Sequence, residues 1–239
     1  APAPAGNGLS GFDVERYRIA LTLDPRGAVQ ARTEITLRSL EPLRAIELDA
    51  RGLSPSGKAV NVTGGRRPLA TTIVPATATR ERRLRLALPG GVPAGAQLTV
   101  EVATRGAAGA LQPLGPLWVA LGGAGLFPSH DDPRDVADFE VRVNGPSSGG
   151  RGAVVVAGWP AKAQEGGFFV RLPRPLPPQA LWLAVGAAGD LKEERLSAAP
   201  VALFGGAPGP GVLGVANDVA GALGRLYGAP PPGGVGVLL

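Results

Sequence analysis

The sequence predicts a mostly β protein: an antiparallel β-sandwich or saddle-like sheet domain, with one helix and a short strand near the C-terminus. Two observations carry the β part. Short runs of alternating apolar and polar residues recur along the first two hundred positions. They are separated by turn-forming residues, for the 239-residue chain holds 37 Gly and 25 Pro. A change of period after residue 211 carries the helix. With 44% hydrophobic and 18% charged residues the chain can bury a core despite its turn-rich composition.

The alternation starts with Tyr17, Ile19, Leu21 and Leu23. Asp24, Pro25 and Gly27 then stand where a type I turn wants them. A second run places Val29, Ala31, Thr33, Ile35 and Leu37 on one face and Gln30, Arg32, Glu34 and Thr36 on the other. The two runs predict a hairpin with one wet face. Strands are expected around Ile46 and Leu48, around Val60 and Val62, and over 84–88 and 98–102. A second set is expected over 139–143, 154–156, 168–172, 181–185 and 201–203. Val212, Val215, Val219, Leu223 and Leu226 then follow a helical spacing, ended by Gly228 and the prolines at 230–232. Gly214, Gly221 and Gly224 weaken that helix by about 1 kcal/mol each, so it needs a packing partner. The last residues, VGVLL, suit a buried strand.

Composition removes several kinds of chemistry. Without Cys there is no disulfide, thiolate metal site or Cys nucleophile, and one His cannot build an imidazole zinc site. All but three of the 24 basic residues are Arg, and against 19 acidic residues the net charge is only +5, so no nucleic-acid partner is expected. No apolar run approaches the roughly 18 residues of a membrane-spanning helix. The opening APAPAGNG is a Pro/Gly-rich lead-in, equally suited to following a removed signal peptide or a cut in a longer chain. It leaves the compartment unknown, with a periplasmic or secreted placement favoured.

Several segments in order resemble the N-terminal β-domain of the aminopeptidase N family of zinc metallopeptidases. These are YRIALTLD (17–24), ARTEITL (31–37), IELDARGL (46–53), VNVTG (60–64), RLRLAL (83–88) and LTVEV (98–102). More specific is GLFPSHDDPRDVADFEVRV (125–143), which is similar to that family's W/F-P-x-x-D-x-P-x-D-K-A-x-F signature. Phe127, Pro128, Asp131, Pro133, Asp135, Ala137 and Phe139 take the corresponding places. VVVAG (154–158) and LWLAVGAAGD (181–190) match the last β-domain strands, and LGRLYGAPPPGGVGVLL resembles the passage into the catalytic domain. The resemblance implies a structural motif at Phe127, Pro128, Asp131, Pro133, Asp135 and Phe139, with no catalytic and no metal-binding residue in these 239 positions. The family's His-Glu-x-x-His helix and Gly-x-Met-x-Asn loop are not among them. The sequence also departs from the family in two places. The stretch 117–125 has no Gln for the substrate pocket, Gln112 being too early, and Val136 replaces the signature Lys.

His130 with Asp131, Asp132 and Asp135 could be read as a hydrolytic or metal site. The competing reading, which the resemblance favours, has Asp131 and Asp135 accepting backbone N–H bonds in a Pro-bounded turn, beside a partly exposed His130. LGGAG (121–125) is a tight turn rather than a phosphate loop, lacking the Lys-Ser/Thr pair. RERRLR (80–85) is a solvated strand face rather than an acidic-partner site. Asn61-Val62-Thr63 is a weak glycosylation sequon, and Trp118, Trp159 and Trp182 are expected in the core or in seams.

The expected organisation is a lead-in over 1–11, a β-domain over 12–198 and the start of a catalytic-domain sheet and helix over 199–239. The expected function is non-catalytic: walling the cleft of an aminopeptidase N-like zinc metallopeptidase and docking a catalytic domain or second chain on 211–239, with peptide as a further partner. Zinc would belong only to that absent catalytic domain. The alternatives are a free-standing degenerate β-sandwich that binds or scaffolds without peptidase activity, and an unrelated small hydrolase centred on His130.

Overall fold

The computed structural model describes residues 11–189, less 25–26, 64, 79–80, 107–109, 115–116, 121–122, 131 and 146–151. It also describes residue 191 and the backbone of 192–195, 201–205 and 235–238. The helix expected at 211–227 lies outside the described residues, as does the 1–10 lead-in.

Strand β1 (Phe12–Leu23) runs into β2 (Val29–Ser39) through the expected turn. There Gly27 N–H donates to the Asp24 carbonyl at 3.1 Å and Ala28 N–H to the Asp24 carboxylate at 2.9 Å. The buried residues of β2 are the ones the alternation names, but β1 starts five residues before Tyr17. Phe12 and Val14 point inward and so do Tyr17, Ile19, Leu21 and Leu23, a change of phase absorbed by a register shift between Val14 and Arg16. One extra residue in a strand restores the inward face.

The chain then forms β3 (Leu43–Asp49), the short β4 (Leu53–Pro55), β5 (Ala59–Asn61) and β6 (Arg67–Leu69), and β7 (Thr71–Val74). The long β8 (Arg83–Val92) and β9 (Gln97–Gly106) follow, then β10 (Gln112–Leu114) and β11 (Leu117–Ala120). After a 3₁₀ turn at Gly123–Gly125 come β12 (Asp138–Asn144), β13 (Gly152–Val156), β14 (Trp159–Pro160), β15 (Lys162–Gln164), β16 (Gly167–Arg171) and β17 (Leu183–Ala187). The last are β18 (Lys192–Arg195), β19 (Val201–Gly205) and β20 (Val235–Leu238).

Among the described residues, nine strands make the main sheet, in the order β15-β16-β12-β1-β2-β9-β5-β6 with β4 also on β9. It is not wholly antiparallel, because β12 lies parallel to β1 from Arg16↔Asp138 to Thr22↔Asn144. Alternation encodes which face is buried and carries no information on strand direction, so the sequence could not show this. Its wet face is laced by arginine–carboxylate pairs, including Arg18 to Glu34 and Glu140 at 3.0 and 3.1 Å and Arg38 to Glu15 at 2.8 Å. Such exposed pairs contribute about 0.5 kcal/mol each.

The dry face packs on two smaller sheets, β3-β8-β7 and β10-β11-β17-β13-β14. Val154, Val156, Leu183 and Val185 join the main core, while Val155, Ala184, Leu117 and Val119 form a second cluster with Leu191. The five-stranded sheet therefore buries apolar residues on both faces, which explains why AVVVA and LWLAV read as unbroken apolar runs. Trp118, Trp159 and Trp182 sit half-buried at the margins of these clusters. A third small sheet pairs β18 with β19 antiparallel and β19 with β20 parallel, so the short C-terminal strand is present.

The 3₁₀ turn takes in the last three residues of LGGAG, with Leu126 and Phe127 N–H both donating to the Gly123 carbonyl at 2.8 and 3.1 Å. A Cβ on Gly123 would lie 2.7 Å from the Pro178 carbonyl oxygen and 2.8 Å from the Phe127 ring. Gly123→Ala is therefore expected to cost about 2 kcal/mol, read as a lowered midpoint in urea unfolding.

Candidate functional site

The FPSHDDPRD loop leaves the 3₁₀ turn and is anchored residue by residue. Phe127 and Phe139, both fully buried, flank Tyr17. Tyr17 stacks on Phe139 at 5.0 Å between ring centroids and 11° between planes, and meets Phe127 edge-on at 5.5 Å. Such pairs add about 1 kcal/mol each beyond the area they bury. Pro128 is buried beside them. Ser129 forms a two-way backbone bridge with Asp49 at the end of β3, at 2.7 and 3.1 Å. His130 N–H donates to the Tyr17 hydroxyl at 2.9 Å.

The turn is closed by Asp132. Its carboxylate accepts the Arg134 backbone N–H at 2.9 Å and the Arg134 guanidinium at 2.7 and 3.0 Å, and its carbonyl accepts the Asp135 N–H at 3.0 Å. These hydrogen bonds from Arg134 hold the Asp132 carboxyl down at about 2. Pro133 sits exposed at the turn's corner.

Asp135 works at longer range. It is 8% exposed and accepts the Val14 N–H of β1 at 3.2 and 3.4 Å while also bonding His130 Nδ1. The His130 ring leans on Phe12 at 4.9 Å. The Asp13 pKa is raised, first by burial and then by the negative charge of Asp135, with Glu15 adding and His130 opposing.

Asp132 closes the turn, and Asp135 accepts a backbone N–H as expected, but from a strand 121 positions earlier. Asp131 lies outside the described residues. His130 is partly exposed, its side chain 12% exposed and engaged by Asp135. The anchoring role of Tyr17 and the turn-closing role of Asp132 are what sequence reasoning missed. A tyrosine inside an apolar alternation is itself a signal, because a buried hydroxyl needs a partner.

The loop forms one wall of a groove of about 600 Å³, facing β3 and β8 across it. Arg83 bonds Asp49 at 3.2 Å and Arg85 bonds Glu47 at 3.1 Å on that far wall. Leu84, between Arg83 and Arg85 on β8, is fully buried, as is Leu86, so residues 83–85 of RERRLR form the alternating strand face expected. The groove balances three guanidinium groups, those of Arg83, Arg85 and Arg134, against the carboxylates of Glu47, Asp49 and Asp132. It therefore offers no surplus charge to an anion or a cation.

The residues do not fit a zinc ion. Among the described residues no three His, Cys, Asp or Glu side chains are arranged to hold a metal, and the lone imidazole's Nδ1 is taken by Asp135. Nor does the His130–Asp135 pair have a nucleophile. The adjacent Ser129 hydroxyl is wholly buried, without a hydrogen bond among the described residues.

Tyr17→Phe leaves the His130 N–H without its acceptor and is expected to lower stability by about 1 kcal/mol. Asp135→Ala, which frees both the Val14 N–H and the imidazole, should cost about 2 kcal/mol. Urea unfolding of the two variants measures both, and an Asp135→Ala chain as stable as the parent would refute the anchoring role.

No protein-family profile and no curated protein matches the chain. Solved structures do. A two-domain M1 zinc metallopeptidase bound to L-arginine aligns at 22% identity over 95% of this chain and 56% of that one, with a TM-score of 0.70. An M1 zinc metallopeptidase from Deinococcus radiodurans aligns at 22% identity over 97% of this chain and 57% of that one, TM-score 0.68. Leukotriene A4 hydrolase from Saccharomyces cerevisiae aligns at 16% identity over 82% and 32%, TM-score 0.63. The chain spans little more than half the length of the M1 structures it matches. The likeness shows that the chain shares the fold of part of the M1, aminopeptidase N-like, zinc metallopeptidases, consistent with their N-terminal domain.

Proposed function

We propose that these 239 residues are the non-catalytic N-terminal domain of an aminopeptidase N-like zinc metallopeptidase, with the first edge of its catalytic domain at 199–239. The observation that carries this is the alignment of nearly the whole chain with just over half of an M1 metallopeptidase. The chain's role is to wall the substrate cleft and to dock the catalytic domain through 211–239. The zinc and the peptide-hydrolysing groups reside in that second part. The five-stranded sheet supports the reading, since a sheet apolar on both faces suits a seam between two units.

Two departures bear on specificity. Gln112 is exposed on β10, paired opposite Val119, and Val136 stands exposed where the family has Lys. Recognition of the peptide's amino terminus therefore falls to the catalytic half.

The coding sequence past Leu239 is expected to continue into a Gly-x-Met-x-Asn loop and a His-Glu-x-x-His helix. A stop codon at that point would defeat the proposal and favour a free-standing binding module. Elemental analysis of the purified chain should find no stoichiometric zinc; one tightly held zinc per chain would place the metal in this half and overturn the division of labour.

A further inference from the structure

We propose that β7 is a dimerisation edge: Thr71–Val74 pairs antiparallel with the same strand of a second copy, about a two-fold axis through Thr72, and joins two β3-β8-β7 sheets into one. This concerns the β-domain alone and does not depend on the peptidase reading.

An open sheet edge is a template for another chain, and folded proteins blunt theirs with proline or charge. In the main sheet and the two sheets packed on it, the outer strands β15, β6, β10 and β14 carry Lys162, Pro68, Pro113 and Pro160. The β3 edge is closed at Asp49 by the Ser129 bridge and carries Arg44. Neither device is present in β7. It reads Thr-Thr-Ile-Val, β-branched throughout, and no charged residue stands between Arg67 and Arg80.

The ladder with β8 fixes which backbone groups are free. Ala87 N–H donates to the Ala70 carbonyl at 2.9 Å, and the register runs from Thr71↔Leu86 to Val74↔Arg83. Bonded and non-bonded pairs alternate along an antiparallel ladder, so Thr72 and Val74 bond to β8 while the N–H and C=O groups of Thr71 and Ile73 point outward. The side chains tell the same story. Ile73 stands opposite the fully buried Leu84, on the core-facing side of the sheet, yet is itself 41% exposed.

A second copy answers each of these features. With the axis at Thr72, Thr71 of each strand meets Ile73 of the other, and every outward N–H of both strands finds a carbonyl. The two Thr72 side chains form a close pair on the outer face, and the two Ile73 side chains become diagonal neighbours on the inner one. Other registers fit worse. Sliding by two residues puts Pro75, which has no N–H, or Leu69, already held in β6 against Ala59, into a bonding place. No charge opposes the contact, because Arg83 and Arg85 lie one strand back and are paired with Asp49 and Glu47. Four residues per strand make a small contact, so the dimer is weak and concentration-dependent.

The test follows the 239-residue chain by sedimentation equilibrium from micromolar to millimolar concentration. The mean mass is expected to climb from that of one chain toward twice that value and no further, because a two-fold axis closes the assembly. Over the same range amide exchange at Thr71 and Ile73 should slow, while Thr72 and Val74, already bonded to β8, stay unchanged; this reading needs no variant. Thr72→Lys sets like charges face to face and should raise the concentration needed for pairing about tenfold, as should Thr72→Glu. An equimolar mixture of the two variants should pair again. A chain still monomeric at millimolar concentration leaves this edge to another segment and overturns the proposal. So does growth beyond the dimer, or a Thr72→Lys chain that keeps the parent's urea midpoint and pairs as readily as the parent.

Discussion

Tyr17 is wholly buried, yet its hydroxyl must be hydrogen-bonded, and the partner it takes is the backbone N–H of His130. That one bond sets the height of the FPSHDD loop over the first strand. Below it, the ring is clamped between Phe127 and Phe139, the two aromatic ends of the motif, so both loop boundaries register against a single side chain. Above it, His130 is placed where Asp135 can reach both the imidazole and the Val14 N–H. The motif works as a fastener between segments more than a hundred positions apart, which accounts for a dense carboxylate cluster that has no catalytic geometry.

The same constraint explains the bulge. An uninterrupted alternation from Tyr17 back to Phe12 would turn Phe12 and Val14 to water. The extra residue between Val14 and Arg16 returns both to the core while the Val14 N–H reaches Asp135. A local irregularity in β1 thus makes the loop's anchorage possible.

Much of this architecture was legible in the residues. The 29–37 alternation named the buried face of β2, and the ordered segments with the FPSHDD signature pointed to the right fold. The Asp24 turn and the Arg83–Arg85 face were readable because each depends on near neighbours. What could not be read was long-range. The partner of Asp135 lies 121 positions away, and the parallel pairing of β1 with β12 leaves no trace in either strand's pattern. The division between Asp132 and Asp135 was hidden too, since spacing alone gives both an equal claim on the turn.

That parallel pairing has a consequence for how the chain is made. β1 is an inner strand of the main sheet, but one of its two edges is covered only by β12, which starts at Asp138. During synthesis, more than a hundred residues must leave the ribosome before that edge can be closed, and the hairpin with β2 stands meanwhile with open backbone donors and acceptors. Closing so long a loop is slow, so the nascent chain carries a prolonged risk of pairing with a neighbour. Arg16, Arg18 and Glu15 along that open edge supply the charge that keeps such encounters short until β12 arrives.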